Sequence, residues 1–226
     1  MRARSIRRLL PSALLMVAPL VHAQSQQANP SEFAASVQQR LATIRDFSSD
    51  FVQSYEGGVL RTKTTERGTM SIKRPGRMRW SYTKPERKEF VSDGTRLYTY
   101  LIQDKQVIVS PAPNPGDGTV PALFLAGQAD LARDFTPSFT ELPGAQPGLV
   151  GLKLVPKKPD PDYEWLAVGV EPKTFQIQHL LAADRQGGKS AFAFSNLKEN
   201  RGLTDKEFEF RIPRGVDVIT NGSRTK

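Results

Sequence analysis

The sequence of 226 residues contains no cysteine. This absence excludes disulfide bonds, thiolate zinc sites and cysteine nucleophiles. Histidine is also scarce, and only His179 lies beyond the N-terminal segment. A Gly-x-Ser-x-Gly nucleophile elbow is missing as well. The chain therefore has few of the side chains that hydrolases and metalloenzymes use for chemistry.

Three short patterns carry weak signals for a reactive site. The sequence GGKS at 187–190 resembles the end of a phosphate-binding loop, but Ala183 replaces the leading glycine and the stretch is typical of a hairpin turn. The acidic residues in 160–164 have a calcium-like spacing without the rest of a binding loop. His179 alternates with apolar residues, which is typical of a structural imidazole. We therefore expect no catalysis, no metal and no cofactor.

The first 23 residues predict a secretory signal peptide. Four arginines precede an apolar run from Leu9 to Leu20, which is shorter than the roughly 20 apolar residues of a membrane-spanning helix. We expect cleavage between Ala23 and Gln24. Losing four arginines and no acidic residue lowers the formal charge from +9 to +5. Because no cysteine follows the cleavage site, residues 24–226 are predicted to form one soluble domain in the periplasm.

The rest of the chain predicts a mainly β (α+β) fold. Asn29 and Pro30 are typical of a helix start, and apolar residues follow at helical spacing. A second helix is predicted at 122–135. Alternating residues and turn signals such as Asp93-Gly94 indicate about ten or eleven short strands, including 206–213. This order favours a single strongly curved antiparallel sheet, roofed by helices around an apolar cavity or groove.

The segment KRPGRMRWSYTKP interleaves cations with large apolar side chains. In a strand, Met78 and Trp80 lie on one face, and Arg77 and Arg79 lie on the other. A nucleic-acid surface needs aromatic rings and cations on the same exposed face. We therefore expect no nucleic acid to bind, and we interpret the two faces as a pocket wall and a solvated outer face. Arg74 is the exception, because the Pro-Gly turn directs it away from its neighbours' face.

Five segments occur in order across nearly the whole mature chain. They are FVQSYEGG from Phe51, GTMSIKRPGRMRWSYTKP from Gly68, FVSDGTRLYTY from Phe90, PALFLAG from Pro121 and FEFRIPRGVDVI from Phe208. With these segments the sequence resembles the LolA-type periplasmic carriers of outer-membrane lipoproteins. The missing cysteine at the cleavage site resembles the soluble carrier and not its lipid-anchored acceptor, which shares the fold.

This resemblance implies an incomplete β-barrel of about eleven strands, closed by a helical lid over a cavity for lipoprotein acyl chains. The carrier would receive acylated lipoproteins from an inner-membrane ATP-driven exporter and deliver them to an outer-membrane lipid-anchored acceptor. Arg74, in the K-R-P turn, would hydrogen-bond the lid closed in the free form. Met78 stands at the barrel mouth, where better known members carry Phe. We expect a monomer, because transfer from mouth to mouth needs a free rim.

A set of apolar positions is predicted to line the cavity. They are Phe51, Met70, Ile72, Met78, Trp80, Tyr82, Leu97, Leu123, Phe124 and Leu125. Each alone is more typical of an ordinary core position, but as a group, a large sheet with little helix favours a cavity. A second interpretation stays open, namely a carrier or sensor of another amphiphile such as a glycolipid or a fatty acyl chain. Acyl chains leave no sequence code that separates the two.

Overall fold

The structure is a computed structural model of the chain. It describes residues 29–57, 62–112, 130–160 and 163–220. The predicted signal peptide, the cleavage site at Ala23 and Gln24, and the predicted cavity positions Leu123, Phe124 and Leu125 lie outside these residues.

The first described element is helix α1, Pro30–Ala42. Its start is the one that the sequence predicts, because the side chain of Asn29 accepts a hydrogen bond from the backbone N–H of Ser31 at 2.9 Å. Proline is well suited to the first helical position, because the backbone N–H that it lacks would have no partner within the helix there. The buried residues form one stripe at helical spacing, consisting of Ala34, Val37 and Leu41. This stripe belongs to the main hydrophobic core.

Most of the remaining described residues form strands, with a short helix α2 (Leu131–Asp134) and a 3₁₀ helix (Asp205–Phe208) between them. The strands are β1 (Asp46–Glu56), β2 (Lys63–Lys73), β3 (Arg77–Lys84), β4 (Lys88–Asp93), β5 (Arg96–Leu101), β6 (Gln106–Pro111), β7 (Phe135–Phe139), β8 (Val150–Pro156), β9 (Trp165–Val170), β10 (Ile177–Ala183), β11 (Lys189–Glu199) and β12 (Asp217–Thr220).

The described strands form one 12-stranded sheet in the order β12-β6-β5-β4-β3-β2-β1-β11-β10-β9-β8-β7. Two meanders meet where the long strand β1 pairs with β11. All neighbours are antiparallel except β12, which pairs with β6 in parallel. The sheet does not close, since β12 and β7 are its two edges. The predicted incomplete β-barrel is thus confirmed, with 12 strands among the described residues where about eleven were expected.

The main core lies on one face of the curved sheet, which we call the inner face. Burial alternates along β3, where Met78, Trp80 and Tyr82 are buried between partly exposed neighbours. Strands β8 to β10 contribute leucines and valines such as Leu154 and Leu180 to the same cluster. Both halves of the sheet and the stripe of α1 therefore share one core.

The predicted strand at 206–213 is wrong. Residues 205–216, which we call the C-terminal strap, begin with the 3₁₀ helix and then run irregularly to β12. The carboxylate of Glu207 accepts from the backbone N–H of Thr204 at 2.8 Å. The guanidinium of Arg79 donates to the carbonyl oxygens of Glu207 at 2.9 Å and Glu209 at 2.8 Å. Side chains thus provide hydrogen-bond partners for these backbone groups, which therefore do not need to pair with a strand.

The outer face of β3 to β6 is covered by the strap, so the expected solvated face is also corrected. Asp205 accepts a hydrogen bond from Lys73 at 2.6 Å and forms an ion pair with Arg77 at 3.4 Å, and the side chains of both cations are only about a third exposed. Next to them, a second buried cluster packs against Phe210 and Val216 of the strap. The predicted alternation of faces is confirmed, but the outer face is only partly exposed here, because the strap packs against it.

Candidate functional site

The register of β1 to β5 arranges the inner face in three cross-strand rows. Counted from the turn at 74–76, their large apolar members are Phe47, Ile72, Met78 and Leu97, then Met70, Trp80 and Phe90, then Phe51 and Tyr82. Ser92 lies between Met78 and Leu97 in the first row, and Gly68 lies between Phe51 and Tyr82 in the third. Adjacent rows are two residues, or about 7 Å, apart. The structure thus brings together every predicted cavity position within the described residues. Leu97 is partly buried, and the others are 9 % exposed or less.

Aromatic rings fill the centre of this surface. The ring of Trp80 packs edge-on against Phe51, with 5.0 Å between centroids, and against Phe192, with 5.6 Å. The ring of Phe51 lies over Gly68, where an added Cβ would sit 2.8 Å from Phe51 Cζ. Glycine is therefore required at this position. The sequence pattern shows the parity of these rings but not that Phe192, from β11, completes the group.

The apolar surface ends in polar side chains on the side away from the 74–76 turn. The hydroxyl of Tyr82 donates to Gln53 Oε1 at 2.7 Å. Lys88 Nζ lies 2.6 Å from Glu66 Oε1 and 4.5 Å from the centroid of the Tyr82 ring. Burial, reinforced by the carboxylate of Glu66, raises the pKa of the Tyr82 phenol. The phenol therefore remains neutral, and Tyr82 marks the boundary between apolar rows and a charged end.

Arg74 lies at the opposite end of the rows, under helix α1. Its Nη1 donates to the carbonyl oxygen of Leu41, in the last turn of α1, at 2.6 Å. Its backbone N–H donates to the carbonyl of Arg45 at 2.8 Å. Burial lowers the pKa of the guanidinium. A cation is favourable at this end of a helix, because the last carbonyls carry partial negative charge.

Helix α1 is also fixed to the far half of the sheet. The ring of Phe33 contacts Phe139 of β7 at 5.8 Å and Phe175 at 5.6 Å between centroids. Arg40 forms an ion pair with Glu199 of β11. With Arg74 holding its C-terminal end, α1 bridges the two halves of the open sheet. These contacts join residues far apart in sequence, so no local pattern predicted them.

Within the described residues, the side chains considered for chemistry do not assemble into a reactive site; position 162 of the acidic stretch lies outside those residues. Both ring nitrogens of the buried His179 lack a hydrogen-bond partner among the described residues, and burial lowers the pKa of the imidazole. Asp184 accepts from the backbone of Gln186 and Gly188, which confirms a hairpin turn at GGKS. In the described part of the chain, no group of three or more His, Asp or Glu side chains could hold a metal ion.

None of the described helices has the length and apolar character needed to cross a membrane.

Comparison with known proteins decides the family. A family model described as outer membrane lipoprotein carrier protein LolA matches residues 42–211. The chain belongs to the LolA family. Proteins named outer-membrane lipoprotein carrier protein are similar to this LolA chain. That of Methylococcus capsulatus is 31% identical over 79% of the chain and 83% of its own length. That of Chromohalobacter salexigens is 32% identical over 88% of the chain and 90% of its own length.

A solved structure supports the fold of this LolA chain. The crystal structure of an uncharacterized conserved protein from Thermus thermophilus matches with a TM-score of 0.52. The match covers 83% of the chain and 98% of that protein at 13% identity. At this identity the similarity concerns the fold alone.

Proposed function

We propose that this LolA protein is a periplasmic carrier. It binds the acyl chains of lipoproteins released from the inner membrane and delivers them to an outer-membrane acceptor, without catalysing a reaction. The observation that carries the proposal is the unclosed sheet, whose inner face presents rows of apolar side chains beneath a helix that Arg74 holds. The signal peptide directs export to the periplasm and is cleaved between Ala23 and Gln24.

The physical need for such a surface comes from the cargo. Each methylene exposed to water costs about 0.8 kcal/mol, so a long acyl chain requires a cover of large apolar area. Phe51, Met70, Ile72, Met78, Trp80, Tyr82 and Leu97 provide that area in this proposal, and Leu123, Phe124 and Leu125 would add to it. In the cargo-free protein these described side chains cover one another and the stripe of α1. Cargo replaces these contacts when it enters.

Arg74 acts as a latch in this proposal. Its hydrogen bond to Leu41 ties α1 to the 74–76 turn when no cargo is bound. A hydrogen bond from a charged donor contributes about 1.5–3 kcal/mol. Entry of acyl chains beneath α1 separates the two groups, so closing the latch again favours release. The family resemblance implies that Arg74 holds the helical lid closed, and in this proposal Arg74 holds α1 as well.

The proposed partners are those of a shuttle. Acylated lipoproteins are the cargo, an inner-membrane ATP-driven exporter loads them, and an outer-membrane lipid-anchored acceptor receives them. The protein works as a monomer, because the end of the sheet at Arg74 must stay accessible to each partner in turn.

The test is to express the chain with its own signal sequence in a bacterial host and identify bound material by denaturing mass spectrometry. Wild type, Arg74→Leu and the control Arg87→Leu are purified from the periplasm; Arg87 is exposed. We expect acylated lipoproteins in all three, enriched several-fold on Arg74→Leu only. Recovery of free lipids alone would favour a carrier of another amphiphile. Equal cargo on all three proteins would refute the latch.

A further inference from the structure

We infer that the indole N–H of Trp80 binds the carbonyl oxygen at the head of a cargo acyl chain. This inference rests on the proposed carrier function and names the part of the cargo that the inner face recognises. In this inference Trp80 donates a hydrogen bond to the cargo, which the apolar side chains of the inner face cannot do.

The indole nitrogen of Trp80 is a buried donor without an acceptor. The residue is 4 % exposed, and Nε1 has no hydrogen-bond partner among the described residues. Buried tryptophan N–H groups usually find an acceptor, because leaving one unpaired costs about 1–3 kcal/mol. Polar groups nearby do find partners: the Ser92 hydroxyl donates to the carbonyl of Gly76 at 2.9 Å, and Tyr82 donates to Gln53.

The side chains that face the Trp80 ring in register or contact it are apolar. Its neighbours in register are Met70 and Phe90, and its ring contacts Phe51 and Phe192. A ring face accepts an N–H only weakly and does not replace a carbonyl oxygen. The missing acceptor must therefore come with the molecule that occupies this surface.

The ligand's chemistry follows from the location of this donor. An acyl chain consists of methylenes and carries one strong acceptor group, the ester or amide carbonyl at its head. Trp80 lies in the second row, about 7 Å from the row nearest the Arg74 turn. A chain whose carbonyl meets Trp80 keeps its polar head toward that turn. Its tail then runs toward Phe51 and Phe192, which are purely apolar.

This arrangement predicts discrimination between acyl and alkyl chains. An ether-linked chain of equal length buries nearly the same apolar surface but has no carbonyl oxygen at the position that the indole N–H reaches. A net hydrogen bond of about 1 kcal/mol corresponds to a factor of roughly five in affinity. The ester ligand is therefore expected to bind about 3- to 10-fold more tightly than its ether analogue.

The experiment measures the dissociation constants of matched ester and ether ligands for delipidated protein. One pair is a short peptide whose N-terminal cysteine carries a palmitoyl-ester or a hexadecyl-ether glyceryl group. The other pair is monopalmitoyl glycerophosphocholine and its monohexadecyl ether analogue. The variant Trp80→Phe keeps an aromatic ring and removes the N–H. The control variant Trp165→Phe changes a tryptophan whose ring lies 4.7 Å from Lys153 Nζ, outside the main core.

We expect Trp80→Phe to lose the ester preference while its ether affinity stays within about 2-fold of wild type. Trp165→Phe should retain the preference. Equal binding of ester and ether ligands by wild type, or an unchanged preference in Trp80→Phe, would overturn the inference and leave the carrier function standing. No binding of any ligand by wild type would instead count against the carrier function itself. Preference in only one pair would identify lipoprotein or phospholipid as the source of the carbonyl.

Discussion

Gly68 should be intolerant of any side chain, because the inner face is built around its missing Cβ. A Cβ at this position would lie 2.2 Å from the carbonyl oxygen of Ser81 and 2.8 Å from Phe51 Cζ. The ring can shift, but the carbonyl belongs to the paired strand β3. In the variant Gly68→Ala, overpacking therefore costs about 1–3 kcal/mol. Reduced freedom of the unfolded chain returns only about 0.4–1 kcal/mol.

The net loss expected for Gly68→Ala is about 1–2 kcal/mol in the free energy of unfolding. Urea unfolding of the mature chain, followed by tryptophan fluorescence, measures it. The double variant Gly68→Ala/Phe51→Leu separates the two contacts. Because the backbone contact persists, the double variant should remain less stable than Phe51→Leu alone. If Gly68→Ala unfolded at the same urea concentration as wild type or a higher one, the steric reasoning would be refuted.

Two further predictions concern buried polar groups. Burial lowers the pKa of His179 in the folded protein, so the unfolded chain takes up the proton first as pH falls. The free energy of unfolding should therefore decrease from pH 7 to pH 5.5, a range that includes the ordinary histidine pKa of about 6.5. In urea unfolding, the variant His179→Phe should show a smaller decrease over the same range. An equal decrease in the variant and in wild type would contradict this prediction. Tyr82→Phe removes the donor to Gln53 Oε1 and should cost about 1 kcal/mol in the same assay, with Tyr100→Phe as the matched control.

The strand order near the site was predictable because its signals are local. At Asp93-Gly94 the aspartate carboxylate accepts from the backbone N–H groups of Thr95 and Arg96, both at 2.8 Å, and Gly94 has φ +97°. Alternation then placed Met78 and Trp80 on one face. The same alternation gave a wrong strand prediction at 206–213. Phenylalanines at alternate positions occur both in a paired strand and in an irregular segment that packs across a strand, so the spacing does not distinguish the two. The Thr204–Glu207 capping pair was the signal against a strand.

The candidate site was predictable as a set of side chains but not as an arrangement. Sequence and family resemblance singled out Arg74, yet its bond to the carbonyl of Leu41 depends on how α1 docks, which no local pattern encodes. The unpaired N–H of Trp80 is likewise a property of the assembled core. An indole looks the same in the sequence whether or not an acceptor surrounds it.

The open sheet has a consequence for the behaviour of the protein in a crowded compartment. Within the part of the chain that the structure describes, β7 and β12 are the two edge strands. Unpaired backbone groups at such an edge are groups on which other chains can build a continuous sheet. Pro137 lies within β7 and removes one donor from that edge. Strand β12 consists only of Asp217–Thr220, too short to template a long ladder. The protein can thus keep its barrel open without polymerising edge to edge.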